Sequence, residues 1–203
     1  MDHIFLPAFR LFVGATLLTG IVYPCIVLVI GQTVFPWSAN GSPVTHANGI
    51  KGSHHVGIQW TSASYVHGRP SACGYGTSPS YASNVAVTSA AFRDSLKQRC
   101  SRRAVLDAVT QADVAEDMIT ASASGLDPHI SPKAARQQIM RILQVRGWPE
   151  EARDHIDSLI LACTETSPFK AVGDSAVNVS ALNHLLDALN ARYKQSMNAK
   201  QAH

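Results

Sequence analysis

The chain has 203 residues, a length that fits one domain of ordinary size together with a short additional segment. Charged residues make up 15 % of the chain and the net charge is only +3, so the composition does not favour a nucleic-acid-binding protein. One basic group is dense, but it has a single aromatic residue beside it and is typical of a solvated helix face: Arg93, Lys97, Arg99, Arg102 and Arg103.

The first element in chain order is an uncharged segment near the N-terminus. Leu11 to Ile30 spans 20 residues with no Lys, Arg, Asp or Glu, and a helix of that length is about 30 Å long, the thickness of the hydrocarbon core of a bilayer. A cleaved signal peptide would have a shorter apolar run and an Ala-x-Ala site, and a buried core helix would have a polar face. The segment therefore predicts a retained transmembrane helix at residues 11–31.

The positive charges at the two ends of this segment predict its orientation. Arg10 and the terminal amine lie just before it, whereas the next Lys or Arg is Lys51. Because positive charge is retained on the cytoplasmic side, residues 1–10 are predicted to be cytoplasmic and the large domain to lie outside. In a bacterium the chain would be a single-pass inner-membrane protein with a periplasmic domain.

The remaining sequence predicts an α+β fold in which helix dominates. A linker at residues 32–50, with a turn at Asn40–Pro43, leads to a soluble domain at residues 51–193. Short strands are expected early in it, including one at Val56–Trp60, and polar residues 194–203 are expected to form a flexible tail. Capping residues and apolar spacing predict four helices: from Thr88 or Ser89 to about Ala108, from Ser131 to Gly147, from Pro149 to Cys163, and from Asn178 onward.

No motif in the sequence indicates catalysis or metal binding. It lacks a phosphate-binding GxxxxGK[ST] loop, and the segment nearest to a GxSxG elbow, Ala121–Gly125, lacks the first glycine. Ser122 and Ser124 are therefore interpreted as turn residues, with a serine hydrolase as the alternative. Four cysteines form no CxxC pair, and the adjacent His54 and His55 would point to opposite faces of a strand, so no metal site is predicted.

Two segments are dense in Gly, Pro, Ser and Asp. They are His67–Ala72 and Ser122–Pro132. Such segments can hold recognition loops in a defined shape, or they can be no more than tight connections, and physical arguments favour the two readings equally. A membrane-anchored periplasmic binding module is one function that would use such loops.

In this order, behind one apolar helix, these motifs resemble the C-subunit family of the bacterial Kdp potassium-transporting ATPase. The resemblance covers about residues 11–190. Its main pieces are Thr19–Gly20, Tyr23–Pro24, Phe35–Trp37, Gly68–Ala72, Ser83–Asn84, Thr120–Pro132, Gln138, Arg141, Arg146–Gly147 and Val177–Val179.

The resemblance implies a non-catalytic accessory subunit of an ATP-driven, high-affinity K⁺ uptake pump. Its implied partners are a channel-like K⁺-translocating subunit and the P-type ATPase subunit, and its implied roles are to stabilise the complex and to assist ATP binding by the ATPase subunit. It implies no firmly bound cofactor, and ATP is the only candidate ligand. The family-motif residues that could contact a partner or nucleotide are Arg69, Pro70, Ser71, Ser83, Asn84, Ser122, Ser124, Gly125, Asp127, Gln138 and Arg141.

Two positions depart from the family pattern. Ile58 stands where the family usually has Gln, and Tyr81–Ala82 replaces a glycine pair that has been likened to a nucleotide-contacting signature. Tyrosine needs more room than glycine and has less backbone freedom. A domain outside the membrane also cannot touch cytoplasmic ATP, so stabilising the complex is the favoured role.

Overall fold

The computed structural model describes residues 2–45, 49, 51–166 and 173–201, and the chain forms two compact units, residues 1–43 and residues 44–203. Parts of four predicted regions lie outside the described residues. They are Met1 of the cytoplasmic N-terminus, positions 46–48 and 50 of the linker, positions 167–172 of the soluble domain, and positions 202–203 of the tail.

The first unit is dominated by an apolar helix. Helix α1 (Asp2–Leu17), a π-helical turn (Leu18–Val22) and helix α2 (Tyr23–Val34) follow one another without a break. Among the described residues, Ile4–Val34 is the one helix long and apolar enough to cross a membrane. Large apolar side chains along it are exposed, for example Leu11 at 75 % and Leu28 at 61 %, as a lipid-facing helix requires.

The π-helical turn lies directly before a proline. Pro24 has no N–H to donate, and its ring would clash with the carbonyl of Gly20 in a regular α-helix. The N–H of Tyr23 bonds instead to the carbonyl of Leu18, five residues earlier. One wider turn thus accommodates the proline without ending the helix.

The apolar helix is longer than the predicted span of residues 11–31. It includes residues 2–10, where Ile4, Phe5 and Phe9 continue the apolar sequence, and it ends only at Val34. Pro36 disfavours helical backbone at the residue before it, and Phe35 has φ −131°. The predicted linker at residues 32–50 is therefore partly regular, with a short helix α3 (Pro36–Ala39) and the expected turn, in which Gly41 has φ 84°.

The strands are few and short. Strand β1 (Pro43–Thr45) pairs with β2 (Lys51–Ser53), and β3 (His129–Ile130), β4 (Thr164–Glu165) and β5 (Ala176–Asn178) form an antiparallel sheet in the order β3-β5-β4. Val177 of the central strand is opposite both Ile130 and Thr164.

The prediction of a strand at Val56–Trp60 is wrong. Only Val56 forms a single bridge, to Ser53. The N–H of Gly57 donates to the carbonyl of Leu126 at 2.7 Å, so this backbone pairs with a distant loop and not with a neighbouring strand. The apolar residues of Val56–Trp60 alternate because individual side chains of this irregular segment contact the core. Trp60, which is 6 % exposed, is one of them.

The four predicted helices are present. Ser89 and Ser131 cap helices α4 (Ala90–Asp107) and α5 (Pro132–Gln137), because each hydroxyl accepts an N–H three residues later. The second predicted helix is broken at Gln138, where the last turn of α5 tightens, and it continues as α6 (Ile139–Arg146) up to Gly147. Helix α7 (Ala152–Ala162) follows.

Helix α8 (Val179–Gln201) begins at Asn178, whose side-chain oxygen accepts the N–H of Ala181 at 3.0 Å. Its backbone stays helical through most of the predicted tail, because residues 194–201 contain neither Gly nor Pro and are mostly good helix formers. The core lies between α5, α6, α7 and α8. Its largest fully buried side chains are Ile139, Ile142, Ile156, Ile160, Leu182 and Leu186. The α+β prediction is thus confirmed.

Candidate functional site

Two loops that the sequence singles out lie against each other. The arginine loop (residues 67–76) and the serine loop (residues 120–131) are joined by hydrogen bonds in both directions. The N–H of Ser122 donates to the carbonyl of Pro70 at 2.9 Å, and the hydroxyl of Ser71 donates to the carbonyl of Gly125 at 2.7 Å. Arg69 adds an ion pair with Asp127 at 3.2 Å.

Glycines allow this close approach. A Cβ atom at Gly57 would lie 2.6 Å from Cε1 of Tyr75 and 2.7 Å from the carbonyl oxygen of Asp127. Tyr75 itself donates its hydroxyl to the carbonyl of Arg69 at 2.7 Å, and burial raises its pKa to about 12. The loops are thus held in one arrangement by backbone contacts that a side chain at position 57 would prevent.

The serine loop uses its hydroxyl groups to hold its own turn. The side chain of Ser122 accepts the N–H of Gly125 at 3.2 Å and lies 3.2 Å from the hydroxyl of Ser124. Ser122 is only 3 % exposed, and Gly125 has φ 72°, which favours glycine. The turn interpretation of these serines is confirmed, and the carboxylate of Asp127 closes a second turn by accepting the N–H of His129 at 2.9 Å.

The segment before the arginine loop has no strand partner among the described residues, and helix side chains satisfy its backbone instead. The amide of Asn183 accepts the N–H of Val66 at 2.8 Å and donates to its carbonyl at 2.9 Å. The amide of Gln138 does the same for His67, at 2.8 and 3.1 Å. The buried side-chain amides of Gln138, just before α6, and Asn183, in α8, therefore make the hydrogen bonds that a neighbouring strand would make.

Arg141 is the centre of a buried polar network. Its Nε donates to Oδ1 of Asp107 at 3.0 Å and its NH2 to Oε1 of Gln138 at 2.7 Å. Its NH1 donates to the carbonyls of Ala63 and Tyr65. Arg141 and Asp107 are 6 % and 3 % exposed, so the pair is desolvated. Removing either residue would leave the other charge buried without its partner.

Asp107 also faces a second arginine. Nε of Arg103 lies 2.5 Å from its Oδ2, and NH1 of Arg103 lies 3.3 Å from Nδ1 of His67. Burial lowers the pKa of His67 to about 4. Because Nε2 of His67 contacts the carbonyl of Ser62 at 2.9 Å, a neutral ring with its proton on Nε2 can accept from Arg103.

The prediction that the basic group of α4 is a solvated face is wrong for Arg103. Arg93, Lys97 and Arg102 are exposed, whereas Arg103 is 8 % exposed and Arg99 donates to the carbonyl of Ile119 at 3.1 Å. The spacing of Arg103 and Asp107, four residues apart on one helix, was a signal of an ion pair that the sequence reasoning missed.

The predicted site residues fall into three places. Arg69, Pro70 and Ser71 meet Ser122, Gly125 and Asp127 where the two loops join. Gln138 and Arg141 lie at the base of the arginine loop, and they are hydrogen-bonded to each other and to the segment that enters this loop. Ser83 and Asn84 are exposed, and Asn84 has φ 49°. The carbonyl of the nearby Tyr81 would lie 3.1 Å from a Cβ at Gly125, so this stretch borders the serine loop.

The other sequence-level expectations concern histidines and cysteines. His54 and His55 lie in a turn after β2 and not on a strand, and their rings make an edge contact at 5.1 Å. Within the described ranges, no cluster of three or more His, Cys, Asp or Glu residues could hold a metal ion. Cys25, Cys73, Cys100 and Cys163, all of which the structure describes, are free thiols.

Comparison with known proteins identifies the family. The family model described as "K+-transporting ATPase, c chain" matches residues 5–188. A potassium-transporting ATPase KdpC subunit of Polaromonas naphthalenivorans is 41 % identical over 93 % of this chain and 96 % of its own length. KdpC subunits of Herpetosiphon aurantiacus and Escherichia coli are 35 % and 36 % identical over 94 % and 91 % of this chain and 99 % and 97 % of their own lengths.

The matches extend through the apolar helix, both loops and the helices beneath them. They confirm the resemblance drawn from the ordered motifs. This chain therefore belongs to the KdpC family of potassium-transporting ATPase subunits.

Proposed function

We propose that the chain is the non-catalytic accessory subunit of an ATP-driven K⁺ uptake pump, and that another subunit hydrolyses ATP. Membership of the KdpC family over residues 5–188 carries this proposal. The absence of an Asp-Lys-Thr-Gly phosphorylation sequence from the chain agrees with it. Family membership also favours a pump subunit over the alternative, a binding module unrelated to transport.

The proposed role is to assemble and stabilise the complex of a channel-like K⁺-translocating subunit and a P-type ATPase subunit. The joined loops support this role, because a surface fixed before binding loses little conformational entropy when a partner docks. The apolar helix would provide a second contact inside the membrane, and membrane lipid would cover the rest of it.

Assistance to ATP binding by the ATPase subunit is the second role that the family suggests. We infer that any such effect acts through the complex and not through direct contact. Tyr81 and Ala82 occupy the place of the family's glycine pair, and Tyr81 is 51 % exposed at the border of the serine loop. A bulky exposed ring there is a poor substitute for glycines that would let a backbone approach a phosphate.

Co-purification tests the assignment. The tagged full-length chain, expressed with the other subunits of its pump and extracted in mild detergent, is expected to retain both partners. Asp127→Asn weakens the ion pair between the loops and is expected to lower the yield of both partners, by about fivefold. Asp157→Asn is the matched control, because its exposed pair with Arg136 contributes little.

Recovery of the tagged chain alone, under conditions in which the other subunits still associate with each other, would exclude the proposed function. Equal yields from the Asp127 and Asp157 variants would leave the pump assignment intact and would exclude the loops as the docking surface.

The orientation with the N-terminus in the cytoplasm and the domain outside is tested with a membrane-impermeant thiol reagent. Cys73 is partly exposed, and its hydrogen bond with Ser71 lowers its pKa, so its thiolate is favoured. Burial raises the pKa of Cys163 to about 11. In intact spheroplasts, a variant that retains only Cys73 is expected to react at least about tenfold faster than one that retains only Cys163.

Denaturation should make Cys163 reactive and thereby control for the reagent. Modification of the Cys73-only variant solely after lysis would place the domain in the cytoplasm.

A further inference from the structure

A polar cleft lies beside the arginine loop, on the side of helix α4. It has a volume of about 460 Å³. The side chains that give it its charge are Arg69, Arg102 and Arg103, with His67 and Ser71 also in its wall. Clefts of this size accommodate small molecules, but most such sites are largely apolar, whereas three arginines line this one.

Two nitrogens of the cleft arginines are buried and lack a partner within the described part of the chain. In Arg103, Nε faces Asp107 and NH1 faces His67, while NH2 has no hydrogen-bond partner. In Arg69, NH1 bonds to Asp127 and NH2 to Thr120, while Nε has none. A buried donor without an acceptor is destabilising, so a hydrogen bond from either nitrogen to a ligand oxygen would be favourable.

The charge around the cleft is positive. Arg69, Arg102, Arg103 and the neighbouring Arg141 contribute four positive charges, and Asp107, Asp117 and Asp127 contribute three negative ones, which leaves a net charge of +1. His67 adds none at neutral pH, because burial lowers its pKa to about 4. Burial lowers the pKa of Arg103 to about 10, so it stays protonated.

We propose that this cleft binds an oxyanion of the phosphate class, held between Arg69 and Arg103 with Arg102 at the exposed rim. Arg69 and Arg103 each offer one buried nitrogen without a hydrogen-bond partner, and the two arginines come from different elements. A planar carboxylate is best matched by two parallel donors of one guanidinium, whereas a tetrahedral group directs oxygens to donors on separate sides. The site does not depend on the proposed pump function.

Isothermal titration of the detergent-solubilised full-length chain, at constant ionic strength set with chloride, tests the proposal. Inorganic phosphate is expected to bind saturably, and acetate at least about tenfold more weakly. Glycerol 3-phosphate distinguishes two sources of the ligand: tighter binding than phosphate indicates a phosphoester such as a lipid headgroup, and equal binding indicates the free ion. Both results support the site.

Variants locate the binding. Arg102→Gln and Arg69→Gln are each expected to weaken phosphate binding by about tenfold, since each removes a charged donor. Arg93→Gln is the matched control, because Arg93 is exposed on the same helix and does not line the cleft. Asp127→Asn keeps both arginines and removes a competing carboxylate, so it is expected to strengthen binding by about threefold or more. Such a gain cannot arise from misfolding.

Near-ultraviolet circular dichroism shows whether each variant is folded. No saturable binding of phosphate, binding of acetate as tight as that of phosphate, or an equal effect of Arg93→Gln and Arg102→Gln would each overturn the site.

Discussion

Replacing Arg141 by methionine is expected to lower the free energy of unfolding by roughly 3–5 kcal/mol. The substitution removes one of the two arginines that neutralise the buried Asp107. It also leaves the carbonyls of Ala63 and Tyr65 and the amide oxygen of Gln138 without their guanidinium donor. Methionine fills much of the same space, so the loss reflects unsatisfied polar groups more than a cavity.

Urea denaturation of the detergent-solubilised chain measures this loss through tryptophan fluorescence. Trp60 packs on Tyr65 with ring centroids 4.7 Å apart, so its emission reports on the segment that Arg141 holds. Arg136→Met is the control: its pair with Asp157 is exposed, and a loss below about 1 kcal/mol is expected. Losses of similar size in the two variants would show that the buried network contributes no more than a surface pair.

The second large effect is expected from Gly57→Ala, at about 2–3 kcal/mol. The added methyl group would overlap the ring of Tyr75 and the carbonyl oxygen of Asp127, at 2.6 and 2.7 Å. The ring is held by its hydroxyl at Arg69, and the carbonyl belongs to the backbone, so neither can move without separating the two loops.

Hydrogen exchange locates this effect. The amides of Gly57 and Ser122, which donate to Leu126 and Pro70, should exchange much faster in the variant. The amide of Ile142 in helix α6 should change less. Gly14→Ala is the control, since a methyl group there meets nothing within 4 Å. Unchanged protection at Gly57 and Ser122 would show that the loops tolerate a side chain at position 57.

The elements that depend on local sequence could be predicted. Ser89, Ser131 and Asn178 each cap a helix through a hydrogen bond to the third residue along, so a few adjacent residues contain the whole signal. The apolar helix was also predicted from local sequence. It begins before Leu11 because apolar residues continue there, and it ends at Val34, beyond the predicted residue 31.

Contacts between distant parts of the chain could not be predicted in this way. The bond from Ser71 to Gly125 joins residues 54 positions apart, and no local pattern records it. The same limit explains why the strand predicted at Val56–Trp60 does not form: the N–H of Gly57 bonds to a distant loop and not to a neighbouring strand. The dense glycines and serines indicated that the loops are tightly shaped, but only the structure reveals that they are shaped by each other.

The hydrogen bonds between the side-chain amide of Asn183 and the backbone of Val66 have a consequence for biosynthesis. Asn183, which satisfies both backbone groups of Val66, follows it by 117 residues. At a synthesis rate of 5–20 residues per second, the acceptor emerges roughly 6–23 s later. Residues 54–88 contain no helix and no strand longer than one bridge, so they have no regular structure with which to fold early. This segment therefore lacks its side-chain partner, and stays open to proteases and chaperones, until the last helix has been made.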